Sequence, residues 1–382
     1  CPPTRADWMS LVVFPFKSEE LAVVATNLAI AARNDHVREI WAVAAEDDVT
    51  MAQVATVASS ISAAEAKPVR VFPEERIGAL RPGKGDAMNT AIARSAERGF
   101  ERTHFYDADI TNFDSGWIDG AESAADHGYQ VVRHRFPRAA TDAMITWMIT
   151  RPGLAMIFPG TLLPRLGQPL GGEMLLTLPA ITSLAEDPFV RNRSDWGIDT
   201  VITHATATMG AGVYEHYVPD GKRHALYGSL TDIRQMLLEC LDAVASLSGH
   251  RGPAVDPALA SEPGAPVPKD LKRTEAYDLD ATRRAISDPP GPGERAILDA
   301  LPGGGEDLDA MDEERWGLLL PGLLSEFALG EEAWEKAVFR LWASRVIHYT
   351  THHVPQGYDQ AMEYLETTIR RYEAMGHQDD RP

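Results

Sequence analysis

Two aspartates one residue apart, Asp107 and Asp109, close the apolar stretch HFYDADIT of residues 104–111. A chain that turns as it leaves a strand can carry both carboxylates into one crevice. Hard divalent cations bind carboxylate oxygens and accept phosphate oxygens as further ligands. Spacing alone leaves two interpretations open, a metal site that receives a phosphate or merely the polar end of a strand.

A glycine-rich stretch, RPGKGDAMN at residues 81–89, precedes this pair. Its glycines free backbone N–H groups, Lys84 supplies positive charge, and a helix is predicted to start at about Asp86. These features suit contact with a phosphate or nucleotide. The stretch is not a P-loop, because the spacing GxxxxGK[ST] is absent.

Further polar residues lie in the segment FPRAATDAMITWMIT, residues 136–150. The planar guanidinium of Arg138 can hold a carboxylate through two hydrogen bonds. If the segment is helical, Asp142 and Thr146 are four residues apart and share one face. The competing interpretation is a capped helix with solvated polar residues.

Three later stretches also carry chemistry. The adjacent glycines of QPLGGEM (168–174) suggest a close backbone approach. In RSDWGIDT (193–200), one of Asp195 and Asp199 can face a ligand while the other caps a helix. In PDGKRHALYG (219–228), His224 suits the third ligand of a site formed with the two aspartates.

The first part of the chain alternates between predicted strands and predicted helices. The strands are predicted at 11–16, 39–45, 69–72 and 103–107, and the helices at 19–33, 49–65 and 85–99. This alternation predicts an α/β domain with a mainly parallel sheet between helices. Ligands of such sheets gather beyond the carboxyl ends of the strands, where Asp107 and Asp109 are predicted to lie.

From about residue 228 the pattern becomes helical. Helices are predicted at 230–247, 331–349 and 358–375, and a Pro/Gly-rich irregular connector at 248–270. The predicted organisation is an N-terminal extension (1–8), a first domain (9–227) and an all-helical C-terminal domain (228–382). The apolar faces of these helices suit either a homo-oligomer or a monomer's own core.

Composition limits the partners and the compartment. The formal net charge of -20 and the pI of about 5.0 disfavour nucleic acid and anionic membrane as partners. We expect no membrane span, because no run of about 18 apolar residues occurs. Two cysteines imply no disulfide framework, which favours a cytoplasmic protein.

Taken together and in order, these stretches resemble the mannosylglycerate synthase family. Its members are retaining glycosyltransferases with a GT-A nucleotide-sugar-binding domain and a helical C-terminal domain. The likeness extends over almost the whole chain from about Met9 and weakens in the connector. The stretches that carry it are SLVVFPFK (10–17), LRPGKGDAMNTA (80–91), HFYDADIT (104–111), FPRAATDAMITWMITR (136–151), QPLGGE (168–173), RSDWGIDT (193–200) and YGSL with DIRQMLLEC (227–240).

The resemblance implies that mannose passes from GDP-mannose to D-glycerate with retention at the anomeric carbon. The product is the compatible solute 2-O-α-mannosylglycerate, and the implied cofactor is a divalent cation, Mg²⁺ or Mn²⁺. Retention can proceed by same-face attack or by double displacement. Same-face attack, with Asp199 holding sugar hydroxyls, is the favoured hypothesis.

The resemblance also implies site residues. Contacts to the donor nucleotide and diphosphate fall on Pro15, Phe16, Lys17, Glu19, Val43, Glu74, Lys84, Asp107, Ala108 and Tyr227. The transferred sugar falls beside Leu170 and Asp199, and the metal ligands are Asp109 and His224. The acceptor pocket falls on Arg138, Asp142, Ala143, Met144, Ile145 and Thr146. Asp199 and Arg138 are the expected catalytic residues.

Two positions depart from the family's pattern. Glu74 stands where relatives carry a glutamine near the nucleotide base, and an ionised carboxylate accepts but cannot donate hydrogen bonds. It suits the N1–H and amino donors of guanine. Ala225 stands where relatives carry an arginine after the metal histidine, and Arg223 is the candidate to replace it.

Three rival functions stay open from the sequence. The donor can be GDP-glucose, which would give glucosylglycerate. A metal-dependent nucleotidyltransferase would need a glycine- and arginine-rich loop at the first strand, and FPFKSEE (14–20) lacks one. A non-catalytic nucleotide-sugar binder is disfavoured, because the candidate metal, acceptor and sugar residues are all present.

Overall fold

The computed structural model describes residues 10–225, 228–250, 252, 259–305 and 310–379. They form two compact units that are interleaved along the chain. Within the described residues, the first unit consists of 10–136, 170–225 and 259–266, and the second consists of 137–169, 228–252 and the residues from 267 onward.

The described part of the first unit contains an eight-stranded sheet with the order β3-β2-β1-β4-β6-β5-β7-β8. The strands are β1 (Ser10–Pro15), β2 (Val37–Ala44), β3 (Val69–Pro73), β4 (Arg102–Phe105), β5 (Val131–Arg135), β6 (Met174–Thr177), β7 (Val213–Tyr217) and β8 (Leu259–Ser261). All six residues of β1 are buried, as expected for a central strand with both faces covered.

Strand direction determines which loops meet. β1 pairs in parallel with β2 and β4, and β2 pairs in parallel with β3. β6 is antiparallel to both β4 and β5, whereas β7 is parallel to β5 and β8 is parallel to β7. The segment that enters β6 therefore lies at the same edge of the sheet as the carboxyl ends of its neighbours.

The helices are, in chain order, α1 (Leu21–Arg33), α2 (Met51–Glu65), α3 (Lys84–Arg98), α4 (Ser115–Asp126), α5 (Arg151–Ile157), α6 (Leu178–Glu186), α7 (Pro188–Asn192), α8 (Ile198–Thr208), α9 (Arg234–Ser246), α10 (Leu279–Ala285), α11 (Pro292–Ala300), α12 (Glu313–Glu326), α13 (Glu332–His352) and α14 (Tyr358–Asp379). Of these, α5 and α9–α14 belong to the second unit. The bounds of β1–β4 and α1–α3 agree with the predicted ones to within two residues.

The described residues of the second unit form helices and loops around an aromatic and aliphatic core. Trp316 and Trp342 are both fully buried there. The indole N–H of Trp316 donates to the carbonyl of Met148 at 2.8 Å, so a polar group in the core is satisfied. The helix predicted at 230–247 begins with a 3₁₀ turn, Leu230–Ile233, which Ser229 caps.

The predicted helical face shared by Asp142 and Thr146 is wrong. Ala143 adopts a left-handed backbone with φ of 57°. Helical structure begins only at Met144 and continues as a π-helical turn, Thr146–Thr150. Asp142 therefore lies on a turn before the helix, because a left-handed residue interrupts the right-handed backbone.

The connector predicted at 248–270 contains a strand, since β8 pairs with β7. Residues 251 and 253–258 of this stretch lie outside the described residues. A single division at residue 228 does not separate the two units, because residues 137–169 belong to the second unit and residues 259–266 belong to the first. The predicted domain bounds stay predictions. In the described part of the chain, no helix has the length and apolar character needed to cross a membrane.

Candidate active site

The carboxyl ends of four neighbouring parallel strands gather most of the predicted donor-contact residues. Pro15 is the last residue of β1 and Phe16 follows it, Val43 is the second-last residue of β2, Glu74 follows β3 and Asp107 lies just beyond β4. Phe16 N–H donates to the Val43 carbonyl at 2.9 Å, and Glu74 N–H donates to the Ala44 carbonyl at 2.7 Å. This edge is where a sheet of this type holds ligands.

The Asp107 carboxylate lies between two ammonium groups. Its Oδ1 is 2.7 Å from Nζ of Lys84, and its Oδ2 is 2.5 Å from Nζ of Lys222. Burial opposes the charged form, but Lys222 and Lys84 outweigh it and hold the pKa of Asp107 well below its usual range. A metal ion at Asp107 would compete with an ammonium group at either oxygen.

Each lysine also has a second carboxylate. Lys84 Nζ is 2.9 Å from Asp199 Oδ2, and Lys222 Nζ is 2.5 Å from Glu173 Oε1. Burial raises the pKa of both Asp199 and Glu173, and the lysines oppose it. Burial would lower the pKa of Lys84, but Asp107 and Asp199 raise it well above the ordinary value. Lys84 is therefore a fixed positive charge at neutral pH.

Two glycines allow this cluster to form. A Cβ on Gly172 would lie 2.4 Å from Lys84 Nζ and 3.0 Å from Asp107 Oδ1. A Cβ on Gly85, in the first turn of α3, would lie 2.4 Å from the Arg193 carbonyl oxygen. Gly172 thus gives the close approach predicted for residues 168–174, where a Cβ would displace the Lys84 ammonium, and Gly85 allows α3 to pack against the backbone of residues 193–194.

Asp109 differs from Asp107 in its surroundings. Its buried Oδ1 has no hydrogen-bond partner among the described residues. The backbone around it is held by Asn27, a buried residue of α1 whose amide donates to the carbonyls of Ala108 at 3.1 Å and Ile110 at 2.9 Å. A buried carboxylate oxygen that lacks a donor is suited to a cation.

His224 lies on the loop after β7, which is joined to the segment that follows Asp109. Thr111 N–H donates to the Arg223 carbonyl at 2.8 Å, and Asn112 Nδ2 donates to the Gly221 carbonyl at 2.8 Å. His224 Nδ1 contacts the Ala225 carbonyl at 2.8 Å. No three His, Cys, Asp or Glu side chains of the described residues converge as a ready-made metal site.

Lys17 and Glu19 lie just beyond β1. The N–H of Lys17 donates to the Glu19 carboxyl group, and Ser18 between them has a left-handed backbone with φ of 57°. Burial raises the pKa of Glu19 to about 7, and the nearby charges of Asp109 and Asp107 add to the shift. Glu19 therefore lies within electrostatic reach of both aspartates.

The predicted acceptor residues belong to the second unit. Arg138 Nη1 is 3.0 Å from Asp142 Oδ2, and the Ala143 N–H donates to Asp142 Oδ1 at 2.6 Å. The remaining predicted members, Met144, Ile145 and Thr146, are buried. Left-handed non-glycine residues are uncommon, and two of the three in the described chain, Ser18 and Ala143, fall in segments predicted to bind substrate.

The remaining predicted residues have simpler placements. Asp195 accepts the Gly197 N–H at 2.9 Å ahead of α8, so it shapes the start of the helix while Asp199 joins the charge cluster. Leu170 is partly buried on the segment that leads to Glu173. Tyr227 lies outside the described residues.

Sequence reasoning missed three residues of this site, Lys222, Glu173 and Asn27. In the sequence, the stretch that contains Lys222 is notable for His224, and the stretch that contains Glu173 is notable for its adjacent glycines. A lysine or glutamate in a loop is usually solvated, so its type gave no signal of burial. Asn27 resembles any polar residue of an amphipathic helix.

Family comparison matches both parts of the chain. A model described as mannosylglycerate synthase, GT domain, matches residues 10–246, and one described as mannosylglycerate synthase C-terminal domain matches residues 306–369. The mannosylglycerate synthase of Rhodothermus marinus is 44% identical over 375 residues, which is 95% of this chain and 94% of that protein. The one from Selaginella moellendorffii is 40% identical, over 94% of this chain and 89% of that protein.

Solved structures match the fold. A glucosyl-3-phosphoglycerate synthase from Mycobacterium tuberculosis, solved with Mn²⁺, UDP and phosphoglyceric acid, aligns with a TM-score of 0.51 and 20% identity. The alignment covers 64% of this chain and 80% of that one. The likeness confirms the predicted fold class, a GT-A-type sheet between helices accompanied by a helical C-terminal domain.

Replacing Asn27 with leucine should destabilise the fold by about 2–4 kcal/mol, because the carbonyls of Ala108 and Ile110 would lose their buried donors. Urea unfolding measures this change. The matched control is Thr26→Ala on the exposed face of α1, which should lie within about 0.5 kcal/mol of the unsubstituted protein. Equal stabilities of the two variants would show that the hydrogen bonds of Asn27 to these carbonyls do not stabilise the fold.

Proposed function

This chain belongs to the mannosylglycerate synthase family, and from that premise we propose that it moves mannose from GDP-mannose to D-glycerate with retention and with the help of a divalent cation. It is a glycosyltransferase that forms mannosylglycerate. The donor nucleotide, the acceptor contacts and the cation belong to the proposal. The observation that carries it is the largely buried charge cluster around Asp107 at the carboxyl ends of the strands.

The donor set supports a cation held by Asp109 and His224. The buried Asp109 Oδ1 lacks a donor, and a carboxylate oxygen with an imidazole nitrogen suits Mn²⁺ or Mg²⁺. Since two protein ligands leave the coordination incomplete, oxygens of the donor diphosphate would supply further ligands. When bound, the cation offsets the charge that builds on the leaving diphosphate. Two structures of the M. tuberculosis glucosyl-3-phosphoglycerate synthase contain UDP, one with Mn²⁺ and one with Mg²⁺.

The chain's own residues supply the remaining electrostatics. Breaking the bond between the anomeric carbon and the phosphate oxygen sends an electron pair to the diphosphate. Lys84 stays protonated and can stabilise that charge from its position beside Asp107 and Asp199. Asp199 has one oxygen on Lys84, while its other oxygen is buried without a partner in the described chain. That oxygen can accept a hydrogen bond from a sugar hydroxyl.

Retention has two routes, and the surroundings of Asp199 support the same-face route. A nucleophile for double displacement needs an exposed lone pair directed at the anomeric carbon. The Lys84 ammonium contacts Asp199 Oδ2 and makes that oxygen a weaker nucleophile, while Oδ1 is the oxygen that we assign to a sugar hydroxyl. In same-face attack, the departing phosphate takes the proton of the acceptor hydroxyl while Asp199 holds the sugar. The transition state is oxocarbenium-like in both routes.

For the acceptor, we assign the carboxylate of D-glycerate to Arg138. The Arg138 guanidinium already pairs with the carboxylate of Asp142, so it is placed where it can bind a carboxylate. Exchange of Asp142 for the acceptor carboxylate would position the acceptor's C2 hydroxyl, a contribution from orientation rather than acid–base chemistry. We further propose a cytoplasmic location and a homo-oligomer formed through the helical part of the chain.

The function is tested by incubating the purified protein with GDP-mannose or GDP-glucose, D-glycerate and Mg²⁺. We expect 2-O-α-mannosylglycerate from GDP-mannose, identified by NMR of the product anomer. Faster turnover of GDP-glucose would assign the rival glucosylglycerate reaction. Hydrolysis of the donor alone would contradict D-glycerate as acceptor, and no turnover with either donor would contradict the proposed reaction.

The two aspartates should respond differently to alanine. Asp109→Ala should lower kcat/KM by about 100-fold or more and raise the half-saturating Mn²⁺ concentration, because it removes a proposed metal ligand. Asp107→Ala should raise the KM for GDP-mannose and raise the half-saturating Mn²⁺ concentration much less than Asp109→Ala does, because both oxygens of Asp107 contact lysines and it would affect the metal only through Lys222. Steady-state titrations of metal and donor separate the two. The reverse pattern would make Asp107 the metal ligand.

Glu74 should make donor binding depend on pH. Burial raises its pKa to about 7, and the Asp86 carboxylate adds to the shift. If ionised Glu74 accepts hydrogen bonds from guanine, binding requires loss of that proton, so affinity for GDP-mannose rises with pH and is about tenfold weaker at pH 6 than at pH 8. Calorimetry measures the dissociation constants.

In Glu74→Gln the side chain cannot titrate, so this component of the pH dependence should disappear. The variant also isolates Glu74 from Glu19, whose pKa is also raised to about 7. An unchanged pH profile in the variant would exclude Glu74 as the group that controls guanine binding.

A further inference from the structure

Lys222 lies on the loop that carries His224, and its side chain is largely buried. Its side chain is 8% exposed, and its ammonium contacts Asp107 and Glu173, both at 2.5 Å. Asp107 follows β4, and Glu173 directly precedes β6. One side chain therefore joins three separate segments at the active edge of the sheet.

The backbone on either side of Lys222 is fixed as well. The Gly221 carbonyl accepts from Asn112 Nδ2 at 2.8 Å, and Arg223 N–H donates to Asn112 Oδ1 at 2.9 Å. The Arg223 carbonyl accepts from the N–H of Thr111 at 2.8 Å and from its Oγ1 at 3.1 Å. Residues 221–223 are thus attached to the segment that follows Asp109, and His224 continues directly from them.

Stability does not account for this arrangement. The attraction within a buried ion pair must first offset the large cost of removing both charges from water. Such a pair therefore often stabilises the fold no more than apolar side chains of the same volume. Ordering a lysine also loses much rotamer freedom. The specific gain from Lys222 is geometric, because its ammonium relates the loop of His224 to the two carboxylates that flank the site. Residues that hold a metal ligand without touching the metal determine how the metal-binding side chain is oriented.

We propose that Lys222 is a positioning residue that orients His224 for metal binding by fixing the 221–224 loop to Asp107 and Glu173. The inference rests on the proposed function, since it takes His224 as a ligand of the cation. It adds two residues, Lys222 and Glu173, to those that govern metal-dependent donor binding.

The test measures GDP binding by calorimetry in the presence of Mn²⁺ and in the presence of EDTA. The dissociation constant in EDTA divided by that in Mn²⁺ is the gain in GDP affinity that depends on the metal, called the gain below. In Lys222→Met, the gain should fall by about 10- to 100-fold, the usual cost of losing a second contact of a metal ligand. The half-saturating Mn²⁺ concentration for turnover should rise in parallel. Affinity for GDP in EDTA should change much less.

A double-mutant cycle distinguishes action through His224 from a separate role. His224→Ala should lose the metal-dependent gain, and adding Lys222→Met to it should have little further effect, because residues that act as a unit are not additive. Glu173→Gln removes one anchor of Lys222 and should shift the gain in the same direction by a smaller factor. Lys272→Met, at an exposed lysine of the second unit paired with Asp359, is the control and should match the unsubstituted protein.

Three results would overturn the inference. Equal weakening of GDP binding in Mn²⁺ and in EDTA would mean that Lys222 contacts the diphosphate directly. Additive effects in the cycle would mean that Lys222 acts independently of His224. An unchanged gain in both Lys222→Met and Glu173→Gln would mean that neither residue positions the loop. By contrast, an unsubstituted protein whose GDP affinity ignores Mn²⁺ would contradict the proposed function itself.

Discussion

The contact of two ammonium groups with the single carboxylate of Asp107 is the constraint on which the candidate site depends. One ammonium comes from the first residue of α3 and the other from the loop after β7, so the carboxylate joins segments that are far apart in sequence. Because both oxygens are engaged, Asp107 is held ionised, and the charge of each lysine is held in place by a second carboxylate, Asp199 or Glu173. A donor that enters this cluster meets fixed charges, which need no reorganisation during reaction.

The cluster also explains why small residues occur where they do. Gly172 lies directly against the contact of Lys84 with Asp107, where a methyl group would overlap the ammonium. Asn27 has a related role, since its amide donates to the carbonyls of the residues on either side of Asp109. Glycine permits the approach and asparagine fixes the turn, so two residues without charge determine where the charged residues lie.

Local patterns predicted the part of the fold that is built from local signals. The strands β1–β4 and helices α1–α3 were predictable because apolar runs alternate with amphipathic ones. The later strands were not, since β5 (VVRHR) and β7 (VYEHY) contain charged or ionisable residues that tertiary contacts bury. The break before Met144 was not predictable either, because alanine gives no sign of the left-handed backbone that Ala143 adopts.

The same distinction applies to the site. Asp107, Asp109, Lys84 and Asp199 were identifiable because they occur at element ends within recognisable motifs. Lys222 and Glu173 lie 49 residues apart, and their pairing is a consequence of β6 running against its neighbours. Motifs indicate candidates for ligand contact, whereas the residues that hold those candidates in position depend on topology.

Charge provides the last link between structure and the proposed reaction. The cluster contains two lysines and three carboxylates, and Asp109 adds a fourth. A diphosphate alone would bring negative charge to a region that already has an anionic excess, and a cation alone would leave the two lysines without phosphate partners. A sugar diphosphate with its divalent cation is close to neutral, so the pair can enter where neither component is favoured by itself. On this argument the proposed cation and donor would bind together, and the protein's overall charge of -20 would oppose neither.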